Sequence, residues 1–550
     1  MPSISPVGWM CIVPPLITIV LAIITKRVVP SLLIGIAFGV LILQPSPSAF
    51  AAASEPFSWS QYLQSSVLGI LYDFCELHLW GSLVDQDHLR VFAFTTILGM
   101  QVALIHASGG MLGIVRWVSP FARTRCRGQM MTWFLGMLIF IDDYANTLLL
   151  GSTMRPVTDR LRISREKLAF LVDTTAAPVS GLAIVSTWVA TEISTMKTGF
   201  DIARLDIGAD TFGIFLQTIP VRFYVIFALV FVALCALLNR DFGPMLVAER
   251  KAHRNPLDAD DIPSGETAEL NQPRAWNAIL PILVTVGCVI GLLIFTGRAE
   301  LNDAKLSDST IQRWGQIIGS GNSSLALIYG SLLGLGVVLA QIISQRELDA
   351  KQIRASLLSG FLHVLPAMTI LWLAWALSTL TKQDYLASGE FIADKVNQMQ
   401  VPVALMPTIT FILAGSIAFA TGTSWGTMAI LMPMTIPLVY GLLTRQMEAS
   451  PSPDHFLMIA SIGSVLAGAI FGDHCSPISD TTILSSRSSG CDHIAHVRTQ
   501  MPYALLIAFT AIVCGTLPAG YGISSLYLLP IGIVFMAASL IIFGRAADQD

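Results

Sequence analysis

The sequence predicts an all-α polytopic membrane protein with about eleven transmembrane helices. Three observations carry that class. Hydrophobic residues make up 54% of the 550, mean hydropathy is +0.68 and charged residues are only 12%, against roughly 25% in soluble domains. Many apolar runs reach the roughly 17 to 25 residues that cross a bilayer as helix. Polar, helix-breaking stretches also interrupt those runs, above all residues 472–486, GDHCSPISDTTILSS. Backbone that leaves the helix at membrane depth must be buried in protein or line a wet cavity, and transporters use such breaks to bind ions.

The spans are expected near 7–25, 28–44, 89–118, 168–190, 220–239, 275–297, 323–344, 356–380, 456–486, 501–519 and 525–544. Met1 to Pro15 lacks a basic leader region and a small-residue cleavage site, so the first run is expected to be a retained span. Two apolar stretches, 129–153 and 403–443, fit poorly as single crossings. Arginines 116, 123, 125 and 127 precede the first, and Arg155, Arg160, Arg162, Arg165 and Lys167 follow it. Both flanks are therefore cytoplasmic, and 129–153 is expected to dip in and return as a re-entrant hairpin with FIDDYAN near its tip. With the N-terminus outside, the cytoplasmic segments hold 22 Lys and Arg and the external ones 8. Residues 62–83 carry Asp73, Glu76 and His78 among apolar residues and read as an amphipathic helix on the external surface; as a span, they would move the N-terminus inside.

This topology is an inverted-topology repeat. A first unit, 1–239, contains the hairpin 129–153. A cytoplasmic linker, 240–274, leads to a second unit, 275–519, with the hairpin 403–443 opening outward, and residues 520–550 add a helix and tail. Phe140 to Pro156 parallels Phe419 to Pro433, and Asp173 with Pro178 and Ser180 parallels Asp473 with Pro477 and Ser479. Inverted repeats with paired broken elements are the build of secondary transporters, whose site lies near the midplane.

Four polar clusters are expected to converge there. The first tip offers Asp142, Asp143 and Asn146, and the following span Asp173, Thr174 and Ser180. The second tip, ATGTSWGT, offers Thr421, Thr423 and Ser424; the break after it offers Asp473, Ser476, Ser479 and Asp480. Carboxylate, hydroxyl and carbonyl oxygens are hard ligands suited to Na+, with Asp142, Asp473 and Asp480 the expected carboxylate ligands. A charge at membrane depth costs at least about 2.5 kcal/mol. The carboxylates must therefore be paired, protonated or bound to a cation, so protons and Na+ would compete for one site. Plainer roles exist for the same residues. One of Asp142 and Asp143 would cap a helix, Asp173 would pair with Arg155 or Arg165, Asp480 would cap the helix after it, and His474 would support by hydrogen bonds.

GDHCSPISDTT closely resembles the signature of the NhaC family of Na+/H+ antiporters. FIDDYANTLLLGSTMRPVTD and VDTTAAPVSGLAIVSTW are similar to that family's first-half elements, and the likeness runs over roughly residues 85–515. The resemblance implies the ion transporter superfamily, an elevator-type transporter with a scaffold and a transport domain bearing two re-entrant hairpins. It further implies a homodimer in the cell membrane with Na+ and H+ as transported ions and no cofactor. An exchanger of a small organic anion or amino acid is the alternative, disfavoured because the expected core contains no Lys or Arg. An intramembrane hydrolase would need Ser424 as nucleophile and His474 as base; a channel would conduct without a counter-ion. No basic run points to nucleic acid, and eight cysteines without C-x-x-C spacing point to neither disulfides nor zinc.

Overall fold

The computed structural model describes residues 8–547 except 26, 45–58, 119–120, 206–210, 255–273, 301–313, 315–316, 319–320, 383, 389–390, 392–393, 396–397, 399–400 and 447–450. The chain is helical, with no strand among the described residues and one isolated bridge joining Asp241 to Arg545. The first half runs α1 (Val13–Thr25), α2 (Val28–Leu43), α3 (Trp59–Tyr72), α4 (Gln86–Ala107), α5 (Gly110–Val118), α6 (Arg125–Leu138), α7 (Asp143–Arg160), α8 (Arg165–Thr174), α9 (Val189–Ile202), α10 (Thr211–Thr218), α11 (Phe223–Leu238) and α12 (Gly243–Arg254). The second runs α13 (Trp276–Glu300), α14 (Ser323–Gln345), α15 (Ala350–Thr381), α16 (Met406–Thr421), α17 (Ser424–Gln446), α18 (Phe456–Cys475), α19 (Asp480–Ser488), α20 (His493–Ala511) and α21 (Ser525–Phe543).

Among the described residues, 11 helices are long and apolar enough to cross a membrane, and a pair bent by 49°, Thr211–Val221 with Phe223–Leu238, would make a twelfth. The protein is a multi-pass membrane protein. Side-chain caps fix several helix starts: Ser164 accepts from the Lys167 amide, Asp492 from the Ala495 amide, and Asp349 forms a reciprocal capping box with Gln352 at the head of α15.

The heart of the molecule is α18, packed against α16 and α17, with α11 and α20 behind it. Along α18, Gly468 and Gly472 face the backbone of α16: a Cβ on Gly468 would stand 2.4 Å from the Phe411 carbonyl oxygen, and one on Gly472 2.2 Å from that of Gly415. Only glycine lets the two helices approach this closely. Around this core, α7, α8 and α19 pack on one another, while α4, α13, α14, α15, α2 and α1 form a chain of neighbouring helices beside them.

Several expectations change shape. Residues 168–190 are not one span: α8 stops at Thr174, a single turn occupies Ala177–Ser180, and helix resumes only at Val189. Pro178, which has no amide hydrogen to give, sits in the gap, and Ala176 departs from helical geometry at φ −86°, ψ −94°. Residues 456–486 likewise divide into α18 and α19, as their polar break implied. The two expected hairpins differ from each other. Each is a packed helix pair, but α6 and α7 have 14 and 18 residues and do not meet the composition of a span, whereas Val403–Thr421 and Ser424–Gln446 each do.

The segment read as interfacial, 62–83, lies in a continuous helical stretch whose Ser66–Val84 portion is long and apolar enough to cross. It is anchored on α2 and α15: Gln44 Nε2 donates to Asp73 at 3.0 Å, Trp372 Nε1 donates to the Leu79 carbonyl at 2.8 Å, and His78 Nδ1 lies 2.9 Å from Thr379 Oγ1. Of the linker 240–274, residues 255–273 lie outside the described residues; the rest begins with α12, which packs on α20 and α8.

Candidate ion-binding site

The first tip is built by one asparagine. Helix α6 ends at Leu138 with open carbonyls, and Asn146 Nδ2 donates to those of Gly136 (2.9 Å) and Ile139 (3.1 Å) and across to Thr175 (2.7 Å), where α8 also ends. Asn146 thus satisfies terminal carbonyls that would otherwise be buried without partners. Asp142 caps α7, its Oδ1 accepting from the Ala145 amide at 2.8 Å, while Oδ2 accepts from Thr187 Oγ1 at 3.3 Å. The capping member of the acidic pair is therefore Asp142, and Asp143 is the first residue of the helix. The Thr187 amide donates to the Ile141 carbonyl, which ties the irregular segment 181–188 to this tip.

The second tip turns at Gly422, whose φ of +69° suits glycine and whose Cα approaches the Ile478 carbonyl too closely for a side chain. Ser424 opens α17 and donates to Asp473 Oδ2 at 3.3 Å. Ser476, just past α18, donates to the Phe419 carbonyl at 2.7 Å and fastens the break to this tip. Asp473 itself is buried, and its Oδ1 has no protein partner. Asp480 opens α19 without capping it and accepts from the Tyr144 hydroxyl.

These pieces enclose a cavity of about 350 Å³ lined by Asp142, Asp143, Thr423, Ser424, Asp473 and Asp480, with no Lys or Arg on its wall among the described residues. Six of the expected residues are thereby brought together. The others take supporting places. Thr421 bonds back into its own helix, Ser479 lies 3.0 Å from Thr481 Oγ1, Ser476 and Asn146 tie backbone as described, and Ser180 Oγ is buried without a partner.

Asp173 belongs to a separate buried network. It accepts from Ser485 at 3.1 Å, Thr482 at 3.3 Å and Gln500 at 2.6 Å, and His496 Nε2 stands 3.4 Å away. It does not pair with Arg155 or Arg165, which turn to Asp159 instead. Thr174 lies 3.0 Å from His474 Nε2, and the other ring nitrogen is 2.7 Å from the Tyr224 hydroxyl. Both nitrogens of His474 are thus occupied as supports, and neither meets Ser424, which removes the geometry a hydrolase would need. Among the described residues, no group of three or more His, Cys, Asp and Glu side chains is gathered as a metal centre.

Two features escaped the sequence reading. The core does contain a guanidinium: Arg222, expected at a span end, is fully buried and paired with Glu192 at 2.8 Å, also bonding Thr218 Oγ1 and the Gly181 carbonyl. The cavity also has walls that were not among the expected site residues: Tyr144, Thr187 and Trp425 inside the quoted motifs, and Thr95 and His363 outside them. His363 was legible as an imidazole inside the apolar run 356–380, where an ionisable group is costly enough to mark function.

Among the described residues, a helical body with this many apolar helices and an acidic cavity at its helix breaks has the build of a membrane transporter. The chain belongs to the Na+/H+ antiporter family, which it matches over residues 179–517. That match contains the second tip and the break at Asp473, and leaves Asp142 and Asp143 outside it. An uncharacterized protein of Haemophilus influenzae is 33% identical over 96% of this chain and 94% of its own. The malate-2H+/Na+-lactate antiporter of Bacillus subtilis is 36% identical over 118 residues, 21% of this chain and 23% of that protein. The fold is similar to that of the Alcanivorax borkumensis YdaH transporter, with a TM-score of 0.56 and 16% identity over 94% of this chain and 100% of that one.

Proposed function

We propose that the protein exchanges Na+ for H+ by competition between the two ions for the carboxylates of the acidic cavity. The observation that carries this reading is the meeting of Asp142, Asp143, Asp473 and Asp480 around one space that, among the described residues, no Lys or Arg lines. Asp142, Asp143 and Asp473 are buried, with the exposed Asp480 at the edge of the same space, and carboxylates so close together favour a bound cation or a shared proton. When Na+ enters, Asp473 supplies the unpartnered Oδ1, with Ser424 and Thr423 as hard-oxygen neighbours. When Na+ leaves, protons take its place. Asp142 and Asp480 contribute charge around that position, and Asn146, Ser476 and the Asp173 network hold the breaks in shape.

The inverted repeat supports alternating access in this reading. The two units 1–239 and 275–519 each bring a tip and a break to the cavity, and movement of that acidic assembly against α4 and α15 exposes it to one side at a time. Transport by purified protein in proteoliposomes with an internal pH dye tests the exchange. An imposed Na+ gradient drives proton movement in the opposite direction, and Asp473→Asn abolishes it. Flux in the variant equal to that of the unaltered protein overturns the competition.

One observation favours a second reading. A space of about 350 Å³ lies in the range of small-molecule sites, about 300 to 1,000 Å³, and is far larger than a bare ion requires. An organic co-substrate, as in the malate and lactate exchanger of Bacillus subtilis, would use that room. A panel of carboxylates and amino acids in the same vesicles separates the two: stimulation of flux by one of them on the far side favours the organic exchanger.

A further inference from the structure

A second cavity, about 420 Å³, adjoins the acidic one, and Asp142 and His363 line both. It lies between two parts of the molecule: one wall is α7 with its cap, and the facing wall is α4 with the first turns of α15. The space exists because the facing helices present small residues. Gly99, Ala103 and Ala107 recur every four positions on α4, as Ala355 and Ser359 do on α15, and that spacing sets each series along one helix face. Gly99 and Gly360 meet backbone to backbone, since a Cβ on Gly360 would stand 2.5 Å from the Gly99 carbonyl oxygen. Apart from Asp142, His363 and His106, no ionisable side chain lines this cavity among the described residues. From Gly99 to Ala107 it runs about 12 Å along α4 at 1.5 Å per residue.

The acidic cavity calls for a cation. Asp473 on its wall is 2% exposed, and its Oδ1 has no hydrogen-bond partner. A buried acceptor whose bond is left unmade is costly, and a donor entering the cavity would satisfy it. An organic anion would meet the four carboxylates with no Lys or Arg to pair with among the described residues. A primary ammonium brings charge and three N–H donors, for which Asp473 Oδ1 and the hydroxyls of Thr423 and Ser424 are acceptors on the same wall. Tyr144 and Trp425 add aromatic rings to that wall, and such rings attract ammonium groups. At about 350 Å³ the space falls in the range that holds small organic molecules, about 300 to 1,000 Å³.

We propose that the two cavities together form a site for a linear primary alkylammonium ion, whose head takes the Na+ position beside Asp473 and whose hydrocarbon chain passes Asp142 and His363 into the second cavity. Each end goes where its chemistry is matched: charge and N–H donors to the carboxylates and hydroxyls, methylenes to the small residues of α4 and α15. Binding has a mechanical consequence. In the exchange reading the acidic assembly moves against α4 and α15, and this ligand is held by α18 at its head and by α4 and α15 along its chain. It therefore ties the moving part to the part that stays. A long-chain alkylammonium competes with Na+ and arrests the exchange, whereas a short one, confined to the acidic cavity, lacks the second hold.

This inference rests on the exchange reading above, and the experiment separates the two. Vesicles holding the protein are loaded with Na+, and uptake of labelled Na+ is followed at equal pH on the two sides with ethylammonium, butylammonium or hexylammonium added; binding of each ion and of Na+ is measured by calorimetry. Affinity and inhibition are expected to rise about fourfold for each added methylene, the worth of burying one, and Na+ is expected to displace all three. Hexan-1-ol and hexanoate keep the chain and change the head, and they leave uptake unchanged. Hexyltrimethylammonium keeps the charge without an N–H donor and binds at least about tenfold more weakly than hexylammonium. Ala103→Leu and Ser359→Leu each narrow the second cavity; Ser359 is exposed, so its replacement adds no strain to the packing. In both variants the gain with chain length disappears while Na+ affinity stays within about twofold. Equal affinity for ethylammonium and hexylammonium in the unaltered protein overturns the site. So does an undiminished gain with chain length in both variants, inhibition by hexan-1-ol equal to that by hexylammonium, or bound hexylammonium that Na+ does not displace. An unaltered protein that neither binds nor exchanges Na+ overturns the exchange reading and this one with it, whereas Na+ exchange that hexylammonium leaves untouched overturns this one alone.

Discussion

Adding one methyl group at Gly472 should disable transport while a similar change elsewhere does not. A Cβ there would stand 2.2 Å from the Gly415 carbonyl oxygen, 2.6 Å from the Phe419 amide nitrogen and 2.7 Å from the Ala418 Cβ. Ordinary contact is about 3.5 Å or more, and none of these atoms belongs to a side chain that can swing aside. Helices α16 and α18 must therefore part by about 1 Å, at a cost of about 1 to 3 kcal/mol for overpacking. The displacement falls on the site directly, because Asp473 is the next residue and Ser476 is bonded to the Phe419 carbonyl. A misplacement of about 1 Å costs about 100-fold in rate where geometry is demanding. Gly287→Ala is the control: nothing lies within 4 Å of its added Cβ, and alanine in a helix is favoured over glycine by about 0.5 to 1 kcal/mol. Thermal unfolding and Na+-driven proton flux are read for both. Equal flux and equal stability in the two variants would refute the close-packing argument.

Asp142→Asn and Asp473→Asn should each abolish coupled exchange in vesicles while leaving a folded protein, whereas Asp173→Asn, outside the cavity, should lower thermal stability and retain exchange. Asn146→Asp would set a carboxylate against the carbonyls of Gly136, Ile139 and Thr175, and a melting curve should show a loss of at least about 3 kcal/mol. On α12, outside the spans, Glu249 holds Arg125 and the Ser164 amide; Glu249→Ala should destabilise by about 3 kcal/mol through the unpaired Arg125. Burial pushes the Glu249 carboxyl up, with Asp241 adding to the push and Arg125 opposing it. Because the folded value is raised, the proton on Glu249 favours the folded state below the unfolded carboxyl range, and that linkage is lost as pH rises from there through the folded value; Glu249→Gln should remove that fall in stability. In a protein stripped of its native cysteines, Arg123→Cys should be labelled only from the cytoplasm and Lys395→Cys only from outside; labelling of both from one side breaks the inverted topology.

The acidic cavity was legible because its residues sit in polar breaks that lipid does not allow. Asp142, Asp143, Asp473, Asp480, Thr423 and Ser424 all come from short polar runs flanked by apolar helix, and the structure brings them to one space. What the pattern could not separate was lining from support. Asn146 and Asp173 look no different from Asp143 in sequence, yet one clamps carbonyls and the other is saturated by Ser485, Thr482, Gln500 and His496. That distinction depends on side chains hundreds of residues away. Arg222 was placed at a span end because hydropathy alone cannot show that Glu192 waits to pair with it. The break at 175–188 was missed for a related reason: Ala, Val and Leu keep the stretch apolar, and only Pro178 signals that the helix stops. His363 stands out as an ionisable group inside the apolar run 356–380, but the run alone does not show that it lines the acidic cavity.

The central claim is that Na+ and H+ compete for the same buried carboxylates, and Na+ affinity as a function of pH tests it most directly. The account predicts that affinity weakens as pH falls, by up to about tenfold per pH unit for one competing proton, with maximal velocity at saturating Na+ changing less, and that Asp473→Asn abolishes the binding. An affinity flat between about pH 6 and 9, a window that brackets the values to which burial lifts a carboxyl, would contradict it.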